Sequence, residues 1–72
     1  MENAWYVQYD SDWNSDRQAW NRYYFLINKL FNVRHPITRL QATGNNRDDY
    51  SPPITSAQAK ELAQQLGLTP QQ

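Results

Sequence analysis

Of the side chains in this chain that could do chemistry, His35 is the only histidine and cysteine is absent, so a nucleophile–base pair would have to be built around that imidazole. His35 stands directly before Pro36, and no companion motif accompanies it, which points to an exposed or capping residue rather than a catalytic one. Asp48 and Asp49 could form a carboxylate pair for acid–base work, but neighbours on an extended segment point apart, and aspartate-rich stretches commonly make turns. Asp10, Asp12 and Asp16 resemble part of a calcium loop without its glycine and its distal bidentate glutamate. The only glycines are Gly44 and Gly67, so no phosphate-cradling loop is present. With one histidine and no cysteine there is no ordinary zinc ligand set. These residues predict a protein that is not an enzyme and needs no cofactor.

The charge order carries more. Glu2, Asp10, Asp12 and Asp16 are the charged groups of residues 1–16; Arg17, Arg22, Lys29, Arg34, Arg39 and Arg47 are those of residues 17–47, with His35 among them. Beyond them Asp48, Asp49 and Glu61 stand against Lys60, and the formal net charge is zero. Sorting of this kind suggests a basic surface for an anionic partner, while folding back of the acidic ends would give an ordinary mixed surface. Arg22, Phe25 and Lys29 are three and four positions apart, the spacing of one helical face, flanked by Gln18, Asn21 and Asn28. An aromatic ring ringed by polar groups is the composition of a protein hot spot. A ring between two cations is equally the composition of a site that stacks a nucleobase and holds phosphate. Against nucleic acid, the pI is near 6.5 and no familiar recognition motif is present.

The elements that must position these groups read in the order strand, helix, strand, helix. Residues 4–9 alternate Trp5, Val7 and Tyr9 with Tyr6 and Gln8, a period of two in strand-favouring residues. Residues 10–14 read as a polar turn. Ser15 and Gln18 have capping-box spacing, and Asp16 suits a helix first turn, so residues 17–31 read as a long helix. On its wheel Ala19, Trp20, Tyr23, Tyr24, Leu26, Ile27, Leu30 and Phe31 share a broad apolar stripe, and Phe25 falls among the polar residues. Asn32 can end a helix in the left-handed conformation. Residues 37–43 read as a second strand, Gly44-Asn45-Asn46 as a turn, and residues 47–53 as a polar loop. Thr55 and Gln58 start a second helix over residues 56–66, with Ile54 positioned to staple onto Ala59 and Gly67 as its cap.

The expected fold is therefore a small single α+β domain of residues 1–72, in which a short sheet is packed on one face by a long amphipathic helix. The ordered core is expected over residues 4–68, with fraying at 69–72. Three tryptophans, five tyrosines and two phenylalanines supply core area that disulfides cannot. No apolar run is long enough to span a membrane, no basic leader opens the chain, and the absence of cysteine suits a cytoplasmic setting. The expected function is docking onto a protein partner with an acidic surface through Arg22, Phe25 and Lys29, extended by Arg34 and Arg39. Self-association through the same face is a variant, and the alternative is nucleic-acid binding by the basic segment 17–47.

Overall fold

A computed structural model describes residues 3–47 and 50–69. The element order is β1 (Tyr6–Asn14), β2 (Ala19–Asn28), β3 (Val33–Ile37), α1 (Arg39–Thr43) and α2 (Ser56–Gln65). The strands form an antiparallel meander in the order β1-β2-β3. This overturns the expected strand–helix–strand–helix order, although the α+β content stands. Residues 17–31 make no helix, no long amphipathic helix covers the sheet among the described residues, and the chain leaves the sheet after Ile37, with Thr38 capping α1.

The physical reason lies in β2. Trp20, Tyr24 and Leu26 alternate with Tyr23, Phe25 and Ile27, and all of these but leucine are types that favour strands. The same residues also satisfy helical spacing, so period alone does not separate the two. Phe25, out of place on a helical wheel, is in register on a strand. Ser15 and Gln18 do not cap a helix, because Gln18 Nε2 donates to the Ser15 carbonyl oxygen (2.7 Å).

Both turns of the meander use one device. Asn14 pairs with Ala19 across residues 15–18, and its Oδ1 accepts from the Asp16 and Arg17 N–H groups at 3.1 and 3.2 Å. Asn28 pairs with Val33 across residues 29–32, and its Oδ1 accepts from the Phe31 N–H at 3.1 Å. Each turn closes on a residue in the left-handed region, Gln18 (φ 52°) and Asn32 (φ 55°). Asn32 does adopt the conformation its sequence suggests, but between two strands.

α1 begins at Thr38, whose side chain forms a reciprocal capping box with Gln41. The box turns the chain out of the sheet just after β3, and Gly44 (φ 81°) ends the helix. α2 matches its sequence signals closely. Thr55 and Gln58 form the expected capping box, and Ile54 packs on the cluster that holds Ala59. The Gly67 and Leu68 N–H groups return to the Gln64 and Ala63 carbonyls (3.1 and 2.9 Å), a Schellman ending.

Paired residues share a face, so Trp5, Val7, Tyr9, Ser11 and Trp13 line up with Trp20, Arg22, Tyr24, Leu26 and Asn28 on one side of the sheet. α2 covers only one end of that side, and Trp5, Leu26, Ala59 and Ala63 form the core there, flanked by Phe31, Val33, Ile37 and Leu62. Ser56 Oγ donates to the Trp5 carbonyl (2.9 Å), tying α2 to the start of the sheet. Asn28 is fully buried, its Nδ2 donating to Asn3 Oδ1 (2.9 Å). β3 pairs with β2 only from Tyr24 to Asn28. Residues 10–14 and 19–23 therefore continue as a two-stranded arm, about 17 Å long at ~3.4 Å per residue. The molecule measures 46 × 22 × 19 Å. The carboxylate pair expected at Asp48–Asp49 and the fraying expected at 70–72 lie outside the described residues.

Candidate interaction surface on the projecting arm

The expected cluster Arg22, Phe25, Lys29, Arg34 and Arg39 does not form one face, because the helix that would unite it is a strand. Residues 22 and 25 lie on opposite sides of the sheet. Lys29 sits in the β2–β3 turn, seven positions from Arg22, or roughly 20 Å along an extended chain.

Phe25 and Arg34 do meet. The Arg34 guanidinium lies 4.2 Å from the Phe25 ring centroid and donates to Asp10 Oδ2 (2.6 Å) across the central strand. Phe25 is thus half-buried beneath an ion pair, in the wall of a shallow hollow of about 430 Å³ shared with Asp10, Asp12 and Tyr23. The ring is closed in on one side, and its cation is matched by a carboxylate.

Arg22 and Arg39 meet on the opposite side. Arg22 stacks 4.8 Å from the Tyr50 ring centroid. Arg39 Nε donates to Tyr24 Oη (3.3 Å). With Arg17, Trp20, Asn21 and Tyr23 these two arginines line a polar cleft of about 380 Å³ at the edge of β2 that β3 does not reach.

Beside the cleft, Trp13 and Trp20 pair across the strands with centroids 5.6 Å apart and planes at 70°. Such an edge-to-face pair is worth about 0.5–1.5 kcal/mol and clips together a ribbon that would be marginal alone. It does so while remaining open: Trp13 is 51% and Trp20 61% exposed. Nearer the core, Tyr9 and Tyr24 form a second edge-to-face pair, at 5.3 Å. Tyr9 Oη donates to the Ser51 carbonyl (3.0 Å), and burial, followed by the neighbouring Tyr24, raises its pKa above the ordinary 10.0.

Trp13, Trp20 and Arg17 are the members of this surface that sequence reasoning missed. By sequence Trp13 falls in the expected turn of residues 10–14 and Trp20 in the apolar stripe of the expected helix. The signal was their symmetry, Trp13-Asn14 and Ala19-Trp20 flanking a short polar turn, which is the layout of a hairpin with matched aromatic partners.

Among the described residues no group of histidine, aspartate or glutamate could hold a metal ion, and no helix is long and apolar enough to cross a membrane. The chain matches no protein-family model, no curated protein and no solved structure.

Proposed function

We propose that this protein is a small, non-enzymatic docking module that engages a protein partner through the arm formed by β1 and β2. The observation that carries the reading is the open Trp13–Trp20 pair at the far end of an elongated molecule. Tryptophan, tyrosine and arginine are the types that dominate binding hot spots, and Trp13, Trp20, Tyr23, Arg17 and Arg22 cluster there. A large apolar surface left uncovered in a chain short of core is otherwise a cost to solubility.

The residues of segment 17–47 do not form a continuous basic track of the kind a nucleic-acid backbone follows. Arg34 is matched by Asp10, and Lys29 lies at the opposite end of β2. Arg17, Arg22 and Arg39 line one cleft, a grouping whose shape suits a spot on a protein surface, where charge mainly speeds and orients encounter.

A photo-reactive residue at position 13 tests the proposal in host extract, with a second at Lys60 on α2 as the control. Nuclease-resistant protein adducts at position 13, absent at position 60 and lost on Trp20→Ala, are expected. Adducts that vanish with nuclease, or that form equally at both positions, refute it.

A further inference from the structure

On the side of the sheet away from Trp13 and Trp20, the hollow holds an arginine by a recipe that the strands repeat. Phe25 and Asp10 are diagonal neighbours, since Phe25 pairs with Gln8 and Asp10 stands two positions further along β1. Their arginine is Arg34, which stacks 4.2 Å from the Phe25 ring centroid while donating to Asp10 Oδ2 (2.6 Å). It arrives from β3, where it pairs with Ile27, one step along the same face from Phe25. Ring, carboxylate and guanidinium form one unit.

A shift of two residues along each strand, about 7 Å at ~3.4 Å per residue, reaches a second ring and carboxylate in the same relation. Tyr23 pairs with Asp10, and Asp12 stands two positions further along β1. Both line the hollow beside Phe25 and Arg34. The matching position on β3 is Pro36, which pairs with Phe25 and carries no charge. The second unit therefore has its ring and its acid but no cation from the sheet. Tyr23 is 42% exposed, and Asp12 is exposed with it. Asn21 Nδ2 donates to Asp12 Oδ1 (2.9 Å), which orients the carboxylate and leaves Oδ2 without a donor among the described residues.

We infer that the hollow takes an arginine side chain of a protein partner, stacked on the Tyr23 ring and donating to Asp12. The inference goes beyond the docking reading, because it assigns a partner residue to the opposite side of the arm. Charge favours this occupant. The charged groups lining the hollow are Asp10, Asp12 and Arg34, and with Arg34 matched by Asp10 the carboxylate of Asp12 is left for an incoming cation. A planar guanidinium can lie against a ring and still donate to a carboxylate, whereas an ammonium is a compact, strongly hydrated charge. A hard metal ion gathers about six or more oxygen ligands, which one unmatched carboxylate does not supply. The volume of about 430 Å³ lies within the ~300–1,000 Å³ of ligand clefts, and its shallow form suits a side chain offered from another surface.

The test titrates the full 72-residue chain with a glycine–arginine–glycine tripeptide, blocked at both ends, followed by NMR of the Tyr23 ring and the backbone amides. Saturable binding with a Kd on the order of a millimolar is expected, with larger shifts at Tyr23 and Asp12 than at Trp20. On the unaltered protein, a tripeptide carrying citrulline, the neutral isostere of arginine, should bind about tenfold more weakly. A lysine tripeptide should bind roughly threefold more weakly, through loss of the stack. Asp12→Asn, which keeps an acceptor for Asn21, should weaken arginine binding roughly tenfold, the scale of a charged hydrogen bond. Tyr23→Leu should weaken it about threefold. No saturable binding, equal binding of the citrulline or lysine tripeptide, or full affinity in Asp12→Asn overturns the inference. Cross-linking at position 13 reads the other side of the arm, so its failure sinks the docking reading alone, and failure of the titration leaves that reading intact.

Discussion

Replacing Asn28 by alanine separates the strand from the helix by the sign of its effect. On a helix over residues 17–31, Asn28 would face solvent, and alanine would stabilise by several tenths of a kcal/mol through propensity. In the structure Asn28 is wholly buried at the end of β2, with Oδ1 accepting from the Phe31 N–H and Nδ2 donating to Asn3. Alanine leaves the Phe31 N–H without its acceptor, at about 1–3 kcal/mol. Asn3 is exposed and can turn to water, so it adds little. The space vacated by the amide adds roughly 1 kcal/mol. The expected loss is therefore about 2–4 kcal/mol, set against roughly 4–11 kcal/mol for a chain of this size. Urea unfolding followed by tryptophan fluorescence gives a direct measure. With a slope near 1 kcal/mol per molar for a small domain, the midpoint should fall by about 2 M or more. An unchanged or higher midpoint would refute the buried turn, and with it the strand.

Three further outcomes are expected. The Tyr9 phenol titrates above its ordinary range when folded, so its contribution is complete below about pH 10 and is lost as pH rises through the folded value. Tyr9→Phe should flatten the alkaline decline in unfolding midpoint, and an unchanged decline would assign it to other groups. His35 Nδ1 is buried with no hydrogen-bond partner among the described residues, opposite Leu26. His35→Leu should stabilise by about 1 kcal/mol, raising the melting temperature by roughly 4–8 °C; a lower melting temperature would show the imidazole to be satisfied. Thr55→Ala removes one half of the α2 capping box and should cost about 1 kcal/mol in chemical unfolding, whereas a neutral result would mean that packing alone sets the helix start.

What could be read from the sequence divides along chain length and local chemistry. α2 was legible because its box, staple, narrow stripe and terminal glycine all point one way. The first strand was legible in the alternation through Val7 and Tyr9, but its continuation to Asn14 was hidden by Asp10, Ser11 and Asp12, which are polar because the arm is open to water there. The segment 19–28 was misread because aromatic residues crowd it densely enough to satisfy both periods. A chance Ser15–Gln18 spacing then favoured the helix. In residues 37–43 the β-branched side chains of Ile37, Thr38 and Thr43 suggest a strand, but the Thr38–Gln41 capping box, of the same form as that at Thr55, prevails and starts α1. Among the site residues, Arg22 and Arg39 share a cleft, and Phe25 and Arg34 share a stack. The separation of these two groups follows from strand pairing, which no local pattern in the sequence records.

The meander sets an order of events. Each strand meets its neighbour through a turn of four residues, whereas the bond between Ser56 and Trp5 joins positions 51 apart. Closing the longer loop costs about 2 kcal/mol more in chain entropy, so the strands assemble first and the C-terminal helix latches onto them last. Ala63→Gly should consequently quicken unfolding in stopped-flow traces and barely slow refolding, while Asn14→Ala should retard refolding. In that sequence the two indoles clasp early, and a nascent chain would carry a finished arm before its own interior is sealed.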